Sequence, residues 1–413
     1  MNKDEILEIL KEHPSWYQKI RLPFGLDTPG RDRSQIANQI FPTDLDGASV
    51  LDIGCAEGYF SFAAKERNAG RVVGVDIDGD RLATAIRLSR VLGMDIEFLK
   101  RSVLDVSELG VFDYVLCLNI LHHVTDPINI IHKLVNMTRK KLVLEIGDIG
   151  LKSPDIGRLR ANKALLGWWG PLLKSLPSAL QPSILVVNSR GRFLMTRKWI
   201  EHFFHNQHCD VERLEFINSD RPNRYLALVS RRNLTALRFV SGPSSIGKSE
   251  FVRRLKSGDL EVSQLLDLNM QDGWQVMTAL DLQKSPGVEV NKLALEYNIC
   301  RPILRRYRDY EFDPALTIER VADKKTAYIL VCPSEYLVSR VKEVLNSYWL
   351  PMRRHKRRAE RLIFEYSQPG RLRKLYDSWI SYCKAHGFEV RYIDVSSRKA
   401  KAITEELALK LVS

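Results

Sequence analysis

The sequence predicts an α/β protein of two domains, each built on a mainly parallel sheet flanked by helices. Three observations carry that expectation. At 413 residues the chain is long for a single hydrophobic core. Short apolar runs alternate with helical stretches from Ala48 to Asp148, and again from Ala236 to Val395. Two glycine-bearing turns, "DIGCAEG" at 52–58 and "GPSSIGKS" at 242–249, each follow an apolar strand and open a helical stretch. The boundary is expected near residues 231–236, giving domains 1–232 and 233–413.

In the first domain "ASVLDIG" reads as a strand, and "CAEGYFSFAAKERNAG" as a turn running into a helix. "RVVGVDID" is the next strand and closes on Asp76. "DIEFLKRSVLD", "FDYVLCLNI" and "KKLVLEIGD" supply three more, and "CDVERLEFI" with "RYLALVSRR" a closing pair. Gly54 and Gly58 let a ligand approach the backbone at the carboxyl end of the first strand, the crevice of a doubly wound sheet. An acid ending the second strand is placed to accept hydrogen bonds from ribose hydroxyls. A dinucleotide site would require GxGxxG, and Asp52-Ile53 stands where its first glycine would be, which argues against NAD.

The run "VLDIGCAEGYF…VVGVDID…SVLDV…FDYVLCLNILHH" resembles class I S-adenosylmethionine-dependent methyltransferases, which have a Rossmann-like sheet. The resemblance implies that Asp52, Gly54 and Gly58 hold the methionine part of the cofactor and Asp76 its ribose. It implies that Leu104 and Asp105 contact adenine, and that Asn119 to His123 lie beside the methyl group. Upstream, "WYQKIRLPFGLDTPGRDR" is similar to the subgroup that includes the tRNA wobble-uridine carboxymethyltransferase. For His122 and His123 two roles stay open, a general base for an acceptor hydroxyl or a shaping of the pocket. Glu145 is either structural or substrate-facing. Residues 151–192 read as a lid over the acceptor. Trp168 and Trp169 in it would stack on a sugar or base, lie against a membrane surface, or pack on the sheet.

In the second domain Gly242-Pro-Ser-Ser-Ile-Gly247-Lys248-Ser249 satisfies the P-loop pattern GxxxxGK[ST] at every position. Its backbone N–H groups would cradle phosphates, Lys248 would reach the β/γ-phosphates, and Ser249 would bind Mg²⁺. The remainder of the domain resembles small-molecule P-loop kinases, and the absence of NKxD favours ATP over GTP. "WQVMTALD" reads as a strand ending in Asp281, a candidate Mg²⁺ ligand or base. Arg301 is a candidate substrate contact. Arg340 lies on a helix preceding "RRHKRRAERL", whose Arg353, Arg354, Arg357 and Arg358 are candidates for an arginine lid over the transferred phosphoryl group.

The net charge of +13 invites a nucleic-acid reading. Residues 233–413 hold 31 basic and 22 acidic residues, and 352–374 alone hold nine and two, so the excess is local. Six scattered cysteines without a CxxC pair are expected to be buried thiols. "MNKDEILEILKEHPSW" has no apolar signal core, and no run is long enough to span a membrane, so a cytoplasmic protein is expected, with contact to the inner membrane face left open. Paired methyl and phosphoryl transfer resembles enzymes that cap polysaccharides, a likeness of activities alone, because those kinases have a protein-kinase-like fold. A saccharide or glycan terminus is therefore the favoured acceptor. tRNA is the rival, and a nucleotide-sensing second domain is a third reading.

Overall fold

The chain divides between Arg231 and Arg232 in the computed structural model, with residues 205–210 joining the second unit. The structure describes residues 3–13, 15–148, 185–187, 193–278, 281–282, 289–301, 304, 310, 313–347, 353–397 and 399–412. Trp168, Trp169 and most of the expected lid lie outside them.

The first unit opens with helix α1 (Lys3–Glu12) and α2 (Ser34–Ile40). Then come β1 (Val50–Ile53), α3 (Tyr59–Lys65), β2 (Val72–Asp76), α4 (Gly79–Leu92), β3 (Glu97–Lys100) and β4 (Phe112–Cys117). They are followed by α5 (Pro127–Met137), β5 (Thr138–Gly147), α6 (Arg197–Gln207), β6 (Val211–Asn218) and β7 (Arg224–Arg231). The strand order is β6-β7-β5-β4-β1-β2-β3. β1 to β5 pair in parallel, and β7 runs antiparallel to both neighbours. β1 is buried at all four positions, as a central parallel strand covered on both faces must be. Two cores flank the sheet, one around Leu51, Val115 and Ile131, the other around Val50, Phe60 and Leu226.

Helix ends follow their local chemistry. Asp78 caps α4 by accepting from the backbone N–H groups of Asp80 and Arg81, and Gly93 ends it in the left-handed region at φ 65°. α1 buries Ile6 and Ile9 against Leu88 and Val91 of α4. The segment after α1 then lies over the glycine loop. Gln18 Oε1 accepts from Tyr59 N at 3.1 Å, and Thr28 Oγ1 donates to the Gln18 carbonyl at 2.7 Å. Gly30 packs on the Gln18 backbone so closely that any Cβ there would overlap it.

The second unit comprises β8 (Leu234–Gly242), α7 (Lys248–Lys256), α8 (Leu260–Leu265), β9 (Trp274–Thr278), β10 (Lys292–Asn298) and β11 (Ala322–Val331). It continues with α9 (Ser334–Ser347), α10 (Arg353–Ser367), α11 (Arg371–Ala385), β12 (Glu389–Asp394), β13 (Lys401–Ile403) and α12 (Glu405–Leu411). The order is β9-β10-β8-β11-β12-β13, with β13 alone antiparallel. β8, the strand leading into "GPSSIGKS", is central. Its neighbours are β10 and β11, while β9 is at the edge. The core holds Phe239, Tyr297 and Trp379, and Trp379 Nε1 donates to Ser241 Oγ at 2.9 Å.

All six cysteines are buried thiols. No helix among the described residues is long and apolar enough to cross a membrane.

Candidate active sites

In the first unit the loop after β1 turns through three left-handed residues, Gly54 (φ 72°), Ala56 (φ 50°) and Gly58 (φ 93°). A side chain at Gly54 would collide with Ile120, so this position requires glycine for space as well as for φ. Asp76 Oδ2 accepts from Ala56 N at 2.9 Å, and Oδ1 from Asp78 N at 3.0 Å. Asp76 thus fixes the loop and keeps lone pairs for a ligand. Asp52 is buried beneath the loop, accepting from Ser61 Oγ at 2.9 Å. Burial, reinforced by the charge of Asp76 and opposed by the Ser61 hydrogen bond, raises its pKa to about 7.

Leu104 is 52% exposed and Asp105 also faces solvent. Ile77, which no sequence motif marks, is 69% exposed directly after Asp76. Leu104 and Ile77 are both large aliphatic side chains left open to solvent, and Ile77 adjoins Asp76 in sequence.

Asn119 is held at φ 66° and donates through Nδ2 to the Tyr17 hydroxyl at 2.7 Å, while its buried Oδ1 has no partner among the described residues. His122 is buried, 3.5 Å through Nε2 from an Arg224 nitrogen, and His123 is exposed with its ring centroid 4.0 Å from that of His122. Glu145 is fully buried. It accepts from both terminal nitrogens of Arg33, at 3.2 and 3.1 Å, and from Ser219 Oγ at 2.5 Å. Arg33 also pairs with Asp220 at 3.1 Å. This makes Glu145 an anchor for Arg33 and the β6–β7 loop.

Sequence reasoning missed Tyr17, Arg33 and Arg224. Their partners lie 102, 112 and 102 positions away, and no local pattern marks such pairings.

In the second unit the loop from Gly242 joins β8 to α7, with Ser245 at φ 67° and Gly247 at φ 102°. Lys248 is buried and donates to the Pro243 carbonyl at 2.6 Å. Burial lowers its pKa to about 8, with Cys300 and Glu296 pulling the other way. A cleft of about 490 Å³ opens beside it. Its lining includes the polar Ser244, Ser249, Glu296 and Asn298, the apolar Val341 and Leu362, and Arg358.

Ser249 Oγ donates to Glu296 Oε1 at 2.9 Å. Asp281, the residue expected to hold metal or act as a base, is not among the residues lining the cleft. Its strand ends at Thr278, and its carboxylate accepts from the Thr278 N–H at 3.0 Å. β10, which carries Glu296, adjoins the strand that leads into the loop, whereas β9 lies at the edge of the sheet. Ser249 and Glu296 form a donor set suited to a hard cation.

Among the candidate arginines, Arg358 lines the cleft. Arg357 is exposed and is not among the residues lining it. The side chains of Arg353 and Arg354 lie outside the described set. Arg340 pairs with Glu343 at 3.3 Å on the surface of α9. Arg301 is engaged by the buried Asp313, which also accepts from Tyr297 Oη at 3.0 Å, so it buttresses β10. Tyr366, near the end of α10, donates to the Ser244 carbonyl at 3.1 Å and lies 3.2 Å from Cys300 Sγ.

Residues 44–178 match the family described as "Methyltransferase domain". Over 109 residues the chain is 34% identical to a tRNA U34 carboxymethyltransferase of Alteromonas mediterranea, covering 24% of this chain and 33% of that one. It is 32% identical over 99 residues to a ubiquinone biosynthesis O-methyltransferase of Neisseria meningitidis, covering 23% and 42%. The chain thus spans less than half the length of these curated relatives. Among solved structures, the bifunctional kinase-methyltransferase WbdD is similar at 20% identity with a TM-score of 0.37, over 55% of this chain and 46% of that one.

Proposed function

We propose that the first unit transfers a methyl group from S-adenosylmethionine and that the second binds ATP with Mg²⁺ and transfers a phosphoryl group. The observation that carries the methyl-transfer reading is Asp76 gripping a loop of three left-handed residues at the carboxyl end of β1, with Ile77 next to it in sequence and, like Leu104, exposed. Asp76 would receive the ribose hydroxyls, Gly54 and Gly58 would admit the methionine portion, and the apolar pair would cover adenine. Asn119 and His122 would border the acceptor, and alignment of the methyl donor with an acceptor nucleophile supplies most of what methyl transfer needs.

For the second unit the support is the turn after β8 with its GxxxxGKS residues, Glu296 on Ser249, and Arg358 lining the same cleft as Lys248. Ser249 and Glu296 would hold Mg²⁺, which would supply positive charge to the phosphates. Lys248 and Arg358 would neutralise charge on the phosphoryl group.

Two transfer chemistries on one chain suit successive modification of one hydroxyl-bearing acceptor, and a saccharide or glycan terminus is the class we favour. RNA is a second reading, favoured by the tRNA-modifying relatives and by the excess of basic residues. Calorimetric titration tests the cofactors. The chain should bind S-adenosylmethionine and Mg·ATP, Asp76→Ala should lose the first alone, and Lys248→Ala the second alone. Absence of either binding in the parent chain refutes that half of the reading. ATP turnover that begins only on adding sugars supports the saccharide, and salt-dependent retention of tRNA supports RNA.

A further inference from the structure

Arg31 and Arg33, from the segment before α2, both reach Asp220 in the loop entering β7, and Arg221 is the next residue of that loop. Glu145 is engaged by Arg33 and Ser219, and Asp220 by Arg33 and Arg31. Arg221 has no acidic partner among the described residues. Its guanidinium carbon instead sits 4.5 Å from the centroid of the Tyr17 ring, and its Nε is buried with no hydrogen-bond acceptor. The other cation over that ring, Arg81 at 5.4 Å, is paired with Asp78.

A guanidinium seated on an aromatic face is held in place while its fork of donors stays available. Tyr17 in turn accepts from Asn119, whose Oδ1 is the unfilled acceptor at the end of β4. Arg221 is thus connected through one ring to the residue that borders the reacting centre in the proposed methyl transfer.

We propose that Arg221 is an anion-recognition residue of this site, and that one of the two ligands meeting there presents a carboxylate or a phosphate to it. This rests on the methyltransferase reading above. Two sources could supply the anion, the carboxylate of the cofactor's methionine portion or an anionic group on the acceptor. A bidentate charge-assisted contact of this kind is strong and selective for planar or tetrahedral oxyanions.

The test compares the parent chain with Arg221→Met, which keeps an apolar stem over Tyr17, and Arg221→Lys, which keeps the charge. S-adenosylmethionine and its decarboxylated analogue are titrated into each, and inorganic phosphate and acetate into each protein loaded with S-adenosylhomocysteine. If the cofactor is the source, Arg221→Met weakens S-adenosylmethionine at least tenfold, leaves the decarboxylated analogue unchanged, and Arg221→Lys restores part of the difference. If the acceptor is the source, both nucleosides bind Arg221→Met normally, and the loaded variant loses the phosphate or acetate binding that the loaded parent shows. The proposal is overturned if Arg221→Met weakens both nucleosides equally, which is a packing effect, or alters none of the four titrations. Failure of the parent chain to bind either nucleoside would refute the methyltransferase reading itself and would be seen before any variant is compared.

Discussion

Ser249 and Glu296 are 47 positions apart in sequence, yet the hydroxyl of one donates to the carboxylate of the other at 2.9 Å. The contact exists because β10 pairs in register with β8, setting Glu296 level with Val240 near the end of the strand that feeds the loop. In a Mg²⁺ complex both oxygens would turn to the ion. Glu296→Gln, which keeps the shape and removes the charge, is therefore expected to weaken Mg²⁺-dependent ATP binding about 10- to 100-fold, the usual scale for losing a metal-holding group. ATP binding in EDTA should change far less, and titration with and without Mg²⁺ reads the difference.

Arg358 and Arg340 offer a paired comparison. Arg358→Ala is expected to lower phosphoryl transfer about 10²-fold or more while binding of ADP changes little, as for a group that acts on charge developing in the transition state. Arg340→Ala, which breaks only a surface pair with Glu343, should leave the rate unchanged. Initial-rate assays of both variants check this.

Lys248 supplies a pH dependence. Its pKa lies near 8 because burial disfavours the ammonium, so the charge that would grip phosphate is present below that pH and fades above it. ATP affinity is expected to fall as pH rises through about 8. Lys248→Arg, which stays charged, should flatten the profile over pH 7–9.5.

Asp52 acts on stability instead. Its pKa is about 7 in the folded chain against 3.8 for the ordinary group. Between those values the folded chain holds a proton that the unfolded chain has lost, so its contribution is complete below about pH 4 and is lost as pH rises through about 7. Denaturant melts of Asp52→Asn across pH 4–8 should lose this component of the decline.

Much of this was legible because it is local. The glycine loops and the acid closing β2 each sit beside the strand that makes sense of them, and continuous apolar runs identify central parallel strands. Glu296 was not legible, since nothing in "KLALEYN" says which strand will lie beside β8. Arg358 was closer to hand. Leu362 and Tyr366 follow it at spacings of four, and both are buried, so the face of α10 that carries Arg358 was written in the helical repeat. Arg33 and Glu145 depended on a fold that brings residue 33 to the end of β5.

Tyr366 sets α10 against the glycine loop. One end of the helix is tied to the carbonyl of Ser244 inside that loop, and Arg358 sits eight residues along, about 12 Å away on an ideal helix. Leu362, midway between them, is buried in the core, so the helix is seated along its length and not at one point alone. The spacing from loop to guanidinium is thus written in a residue count, and inserting or deleting one residue between 358 and 366 would turn Arg358 by about 100° off the face it shares with Leu362 and Tyr366.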